Sequence, residues 1–361
     1  MFSPSHVYDT VVIGAGMAGA RCAQNLAKAG LDVVILEKSR GVGGRMSTRR
    51  VSLDAEETIA DHGAQYITVK GDRFRQFVDR QLKLGTMAEW TRHIHVLDDT
   101  GLHEGDYDDR VPRYCCPEGM TAVVKQMCTS LNVVMQTRVS AVQATAGGWQ
   151  VTADDDRRFW ARSLVIALPA PQILALLGDW LTADYPLHAP LSSAQYVPCI
   201  AVMAGYGSEA LTPSWRGVKC QGDDRVVWVS LDSSKRSRQG ANTSSPIVVV
   251  HSTPQFAESY LESERDELQA AGRLLIERAA ERLGDWLATP DWIQVHRWRY
   301  SLPVETVGMA SLGMAVPAGD RVLPLICAGD WCAGPKVEGA FISGEDAAVR
   351  GLAMLDSLRT S

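Results

Sequence analysis

Asp9-Thr10-Val11-Val12-Ile13-Gly14-Ala15-Gly16-Met17-Ala18-Gly19 is the stretch that decides the fold. Its β-branched run suits a strand buried on both faces of a parallel sheet, and it ends directly in a turn carrying three glycines. Ala20 to Ala29 are strong helix formers, and Gly30 stands where a helix ends. Val33 to Leu36 form a second apolar run, closed by Glu37. A strand, a glycine turn, a helix and a second strand make the unit from which a doubly wound α/β domain grows. Gly14 makes the tight bend, Gly16 lets backbone approach a pyrophosphate, and Gly19 lets helix and strand pack closely. The helix start turns free N–H groups and a partial positive charge toward the phosphates. Glu37 lies where a carboxylate accepts hydrogen bonds from an adenosine ribose and repels a 2′-phosphate. Dinucleotide binding is the expectation.

The surrounding chain sets bounds on function. Its 361 residues are 46% hydrophobic and 22% charged, an ordinary globular balance with enough chain for two domains. The net charge of −6 comes without long runs of one sign, so a nucleic-acid partner has no electrostatic support. No segment approaches the ~20 consecutive apolar residues of a membrane helix, and the N-terminus lacks a basic stretch followed by an apolar one. A soluble cytoplasmic protein is expected. Eight cysteines without a C-x-x-C pair or a histidine cluster at zinc spacing read as free, mostly packed thiols, with no metal site.

After Glu37, the segment Lys38-Ser39-Arg40-Gly41-Val42-Gly43-Gly44-Arg45-Met46 is a glycine-rich basic loop suited to a second stretch of phosphate or a flavin. Residues 60–66 place Gly63 and Gln65 in another tight segment. Phe74, Phe77, Val78 and Leu82 recur at helical spacing. Strands are expected at 133–137, 139–143, 149–152, 164–169, 201–204, 226–231 and 247–251, then one long charged surface helix between about 258 and 287. Near the C-terminus, a strand ending before Asp330 and a glycine-bearing helix start at 337–344 suit a ribityl chain and a second phosphate contact.

The segments GAGMAG, GGRMST, ADHGAQYIT, PEGMTAVVK, VVWVSLDSSKR, VVVHSTPQF, RWRYS and CAGDWCAGPKVEGAFISG, in order from residue 14 to 344, resemble the renalase-like branch of the flavin-containing amine oxidase superfamily. The resemblance implies a non-covalently held FAD on a doubly wound, Rossmann-like domain, interleaved with a mixed β-sheet and helix domain. The boundaries read as 1–72, 112–190 and 318–361 for FAD binding, and 73–111 and 191–317 for the substrate. Carried over by position, Glu37 holds the ribose, while Ala18 with Gly14, Ala15, Gly16 and Met17 meets the pyrophosphate. Arg45 and Met46 line the flavin side, with Gln65 and Tyr66 near the ring, and Lys38 and Gly44 belong to the cofactor set. Val139 offers its backbone to adenine. Pro169, Gly329, Asp330, Glu338, Gly339 and Ala340 complete the cofactor set, and His251, Trp228 and Trp298 line the substrate side.

The resemblance implies oxidation of 2- or 6-dihydronicotinamide dinucleotides to NAD(P)+, with oxygen reduced to hydrogen peroxide. Amine-oxidising relatives carry a cage aromatic after the C-terminal G-D/E segment, whereas Gly334-Pro335-Lys336 stands here, with Trp331 nearby. Oxidation of a small amine or another C–H donor is the second reading, and a non-catalytic relative that binds a partner is the third. His251, in register with Val249 and Ile247, faces a cavity, an inter-domain cleft or the core. Taken alone, Trp228 and Trp298 read as core residues.

Overall fold

A computed structural model describes residues 6–53, 56–105, 111–207, 210, 213–236 and 245–359. The chain divides into two units, one of residues 1–44, 124–196 and 303–361 and one of residues 45–123 and 197–302.

The first unit is built on an eight-stranded sheet. Tyr8–Ile13 lies between Val33–Leu36 and Arg158–Ile166, parallel to both, and Asn132–Val134 extends the sheet beside Val33–Leu36. Arg158–Ile166 changes partner along its length. Its first half pairs antiparallel with Gly148–Ala153, and its second half pairs parallel with Arg321–Cys327. The parallel strands are near-continuous apolar runs, and Val11, Val34, Leu164 and Leu325 are fully buried. Ile13 stands level with Leu36 and Ile166, and Ile166 with Cys327, so four strands end at one edge.

Helix Met17–Lys28 packs against the C-terminal helix Lys336–Arg359. A Cβ on Gly344 would overlap the Ala18 carbonyl oxygen, so only glycine permits this crossing. Arg21 pairs with Glu345 and lies 4.5 Å over the Phe341 ring, fixing the rotation of one helix against the other.

In the second unit a seven-stranded sheet runs in the order Trp292–Glu305, Gln195–Gly205, Ile247–Ser252, Val226–Leu231, Gly217–Cys220, His95–Asp98 and Gly101–Glu104. Ile200, Val202, Val229, Val248 and Val250 share one hydrophobic cluster with Leu275 and Ile276 of helix Arg265–Leu283. By the two-residue period of a strand, the opposite face carries Ala201, Trp228, Ser230, Val249 and His251. No helix among the described residues is long and apolar enough to cross a membrane. All eight cysteines are free thiols, and all but the half-buried Cys220 are buried.

Three expectations need correction. The single helix over 258–287 is two helices, Pro254–Ser259 and Arg265–Leu283, followed by a short turn at Asp285–Ala288. Arg297 Nη1 donates to the carbonyls of Tyr260 (3.2 Å) and Ser263 (2.8 Å), holding the break open. The longer helix is also no mere surface element, since Ala271, Leu275, Ile276 and Ala279 are buried. The strand at 133–137 stops at Val134, because Gln136 adopts φ 51° and turns the chain back so that Thr137 N donates to the Glu37 carbonyl at 2.8 Å. Between Cys327 and the last helix, a further short helix, Asp330–Ala333, intervenes.

Lys336 opens the last helix with φ 84°, a left-handed conformation that a side chain resists. Lys336→Gly is therefore expected to raise the unfolding free energy by about 1 kcal/mol, while Lys336→Ala, which keeps the Cβ, brings no gain. Urea unfolding of the three proteins measures this, and equal stability of all three would show that the conformation carries no strain.

Candidate functional site

The shared strand edge of the first unit collects the residues expected to hold a dinucleotide. Directly beyond it come Gly14, Glu37, the segment leading to Pro169, and Gly329 with Asp330, the edge at which open α/β sheets bind ligands. Gly14 has φ 100°, and a Cβ on Gly19 would overlap the Gly14 carbonyl oxygen, so both glycines are required by the turn. A Cβ on Gly16 would meet nothing within 4 Å, and no side chain caps the helix that begins beside it. Open space at an uncapped helix start is what a pyrophosphate needs.

Glu37 is buried, and its carboxylate accepts from Ala15 N (2.8 Å) and Ser39 N (2.9 Å). It thereby ties the glycine turn to the end of the neighbouring strand. Gly43 N donates to the Ala15 carbonyl at 2.9 Å, which brings the second glycine-rich segment, with Gly44, against the first. Ala15, Met17, Ala18, Asp330 and Gly339 are buried, and Val139, Pro169, Glu338 and Ala340 are half-buried. Ser343 Oγ accepts from Gly329 N at 2.9 Å. Lys38 is exposed and lines a surface pocket of about 310 Å³ with Arg40, Gln136 and Arg138. Trp331 is fully buried, with its indole N–H on the Leu168 carbonyl at 3.0 Å, so it is a core residue.

In the second unit the backbone at Arg45 supports the segment Gly63–Tyr66. Ala64 N donates to the Arg45 carbonyl at 2.8 Å, and a Cβ on Gly63 would overlap the same oxygen. The adjoining Met46 is buried, and Arg45 Nη1 reaches the Ser301 carbonyl at 3.4 Å. Gln65 is the hub. Its Oε1 accepts from Ser230 Oγ (2.8 Å) and Lys235 Nζ (3.2 Å), while its Nε2 donates to the Asp61 carbonyl and the Gly63 carbonyl (3.1 Å). An ammonium cannot accept a hydrogen bond, so Lys235 fixes which end of the amide is which. Gln65 Nε2 lies 3.4 Å from His251 Nε2.

Trp228 and His251 stand opposite one another on adjacent strands, and Tyr66 lies 5.5 Å from the Trp228 ring. Trp298 joins this group through His62. Its Nε1 donates to the His62 carbonyl at 2.9 Å, and its ring stacks on the His62 ring at 5.2 Å. Thus His251, Trp228, Gln65 and Tyr66 are brought together, with Trp298 one residue removed.

Sequence reasoning assigned no role to the charges behind this face. Lys235 Nζ lies 2.6 Å from Asp232 Oδ1, and Arg236 Nη2 bridges Asp232 Oδ2 (2.7 Å) and Asp61 Oδ2 (2.9 Å). Burial pushes the Asp61 carboxyl up, but Arg236, Lys235 and the hydrogen bonds from Met120 N and Thr48 Oγ1 together hold it below its ordinary range. The i, i+3 and i, i+4 spacing of Asp232 to Lys235 and Arg236 was the readable signal.

Burial and the nearby Lys235 charge push the His251 imidazole down to about 4, against the opposing contact with the His62 backbone. Burial, then His296 and Arg49, lowers His62 to about 3, and burial with Arg49 lowers His296 to about 4. In an unfolded chain these rings titrate near 6.5. Between pH 6.5 and about 4 the unfolded chain therefore binds protons that the native one refuses, and native stability falls as pH drops through that window. Urea unfolding from pH 7 to pH 4.5, about the range over which these rings charge, is expected to show a decline of up to about 1.4 kcal/mol per pH unit for each such ring. His62→Gln should remove one ring's share of that slope, and a pH-independent profile in the wild type would show that the rings charge freely.

Residues 12–81 match the NAD(P)-binding Rossmann-like domain, and residues 98–351 match the flavin containing amine oxidoreductase family. A probable flavin-containing monoamine oxidase A from Dictyostelium discoideum is 29% identical over 97 residues, which are 27% of this chain and 20% of that protein. The chain thus spans about a fifth of the length of that curated relative. Among solved structures, a putrescine oxidase with redesigned cofactor binding superposes with a TM-score of 0.68 at 15% identity, covering 96% of this chain and 99% of that one. A putative protoporphyrinogen oxidase from Exiguobacterium does so with 0.68 at 14% identity, covering 99% and 100%. These likenesses establish the fold. With its glycine turn, open helix start and Glu37 on one strand edge and the family match spanning residues 98–351, the chain belongs to the flavin containing amine oxidoreductase family, whose cofactor is FAD.

Proposed function

We propose that the chain is a renalase-like FAD-dependent oxidase that converts 2- or 6-dihydronicotinamide dinucleotides to NAD(P)+. Bound FAD would accept the hydride and pass electrons to oxygen, giving hydrogen peroxide. The observation that carries this reading is the charge on the substrate face. Both carboxylates behind it, Asp61 and Asp232, are engaged by Lys235 and Arg236, which leaves an aromatic and neutral-to-basic surface of Tyr66, Trp228, His251 and Trp298. Among the described residues a cationic amine finds no unengaged carboxylate on that face, whereas a flat dihydropyridine finds rings to lie against.

His251 and Gln65 would orient the donor ring. A dihydropyridine that loses hydride becomes an aromatic pyridinium and has no N–H or O–H proton to surrender, so no general base is required. The second reading, amine oxidation, is favoured by the family match over residues 98–351 and by the neutral imidazole of His251.

Anaerobic mixing of the yellow protein with each donor separates the readings. The isomeric dihydronicotinamides should bleach the flavin much faster than ordinary 4-dihydro NADH or a panel of monoamines. His251→Asn should raise KM yet leave the limiting reduction rate within roughly tenfold of wild type, against the ~10²–10⁴-fold loss expected of a removed base. Rapid bleaching by a simple amine alone would establish amine oxidation instead.

For the cofactor, Glu37→Ala removes the acceptor of two backbone N–H groups and the expected ribose partner. FAD affinity, read by fluorescence on dilution, should fall by about 1–3 kcal/mol. Unchanged affinity would remove Glu37 from the cofactor site.

A further inference from the structure

Arg49 is the central cation of a cluster that has no matching anion among the described residues. It lies in strand Thr48–Leu53, half-buried, while its exposed neighbour Arg50 pairs with Glu57. Among the described residues no carboxylate reaches Arg49, whose guanidinium meets only His296 Nδ1, at 3.5 Å, and whose Nε is buried without an acceptor. The His296 ring lies 4.7 Å from the His62 ring, edge to face, and His62 Nδ1 is likewise buried without a partner. His62 is 4% exposed. A fixed charge held partly out of water, beside two imidazoles with spare ring nitrogens, is costly unless an anion arrives.

We propose that Arg49, His62 and His296 form an oxyanion subsite that takes a phosphate group of the substrate. This rests on the dinucleotide reading above and extends it, since such a substrate carries a pyrophosphate. A guanidinium presents a planar fork of donors that matches phosphate oxygens, and an imidazole that gains a proton adds another donor. The subsite is joined to the substrate face through His62, whose carbonyl accepts from Trp298 Nε1.

The charged and titratable groups around the His62 and His296 rings are Arg49, Asp61 and His251. Asp61 is already engaged by Arg236 and Lys235 and does not compensate Arg49. Burial is the main reason both rings stay neutral, and an oxyanion against Arg49 cancels the charge that adds to it. Its binding should therefore take up protons and tighten as pH falls toward about 6, where a free imidazole begins to charge.

The test uses the FAD-loaded protein, inorganic pyrophosphate as probe, and the histidine ring signals in the NMR spectrum, assigned with His62→Gln and His296→Gln. Pyrophosphate is expected to shift both ring signals saturably in the wild type and to raise the pH at which they titrate. In Arg49→Met its Kd should rise at least about tenfold, the loss expected when one charged hydrogen-bond partner goes, with the flavin spectrum unchanged. Arg49→Lys should recover part of that loss. In turnover, Arg49→Met should raise KM for the dihydronicotinamide dinucleotide but not for the phosphate-free riboside. Ring signals indifferent to pyrophosphate in the wild type would overturn the subsite, as would an equal Kd in Arg49→Met. Pyrophosphate binding that depends on Arg49, in a protein that oxidises neither dihydronicotinamide, would leave the subsite standing and overturn the proposed reaction.

Discussion

The pairing of Ile13 with both Leu36 and Ile166 is the constraint on which the cofactor side depends. Parallel register makes neighbouring strands end level, and the chain must leave the sheet at that level on every strand. A ligand lying along the edge then meets one short segment from each strand, none of which needs to be long or rigid by itself. The burial of these runs supplies the rigidity. Glu37 adds a cross-tie, since its carboxylate is bonded to the amide of Ala15 in the adjoining turn. The side chain expected to meet the ribose is thus also part of the turn's own architecture.

The second unit rests on a different kind of interaction. Asp61, Asp232, Lys235 and Arg236 balance two charges against two, mostly out of water. Such a group is a poor source of net stability, because desolvation offsets most of the attraction, yet removing one member costs about 3–5 kcal/mol by stranding the others. Its value lies in orientation. Lys235 reads the polarity of the Gln65 amide, and it is the amide nitrogen of Gln65, not its oxygen, that lies beside His251. The chemistry of the face is therefore set one layer beneath it.

What the sequence made legible follows the range of the interactions. Residues 9–37 could be read because strand, turn, helix and acidic terminus are all local, and the turn glycines have jobs that only glycine performs. The break in the helix expected at 258–287 could not be read, because Arg297, far along the chain, holds it. Asp61 and Asp232 are separated by 171 residues, and only the folded chain sets them on one guanidinium. Trp228 and His251 carry no local signal that pairs them, and only the folded sheet sets them in register on adjacent strands. The position of Trp298 depends on His62, whose carbonyl and ring give no local signal.

The thiols carry a consequence for a chain proposed to release peroxide. Peroxide attacks thiolate, not thiol, and reaches only accessible sulfur. Burial pushes Cys22, Cys199 and Cys332 up to about 12, and Cys115 and Cys128 up to about 11. Even the half-buried Cys220, beside Asp223, is pushed up to about 12. At neutral pH essentially none of these sulfurs is ionised. The fold that packs them as small apolar spheres thereby also makes the protein chemically durable against the oxidant it is proposed to generate.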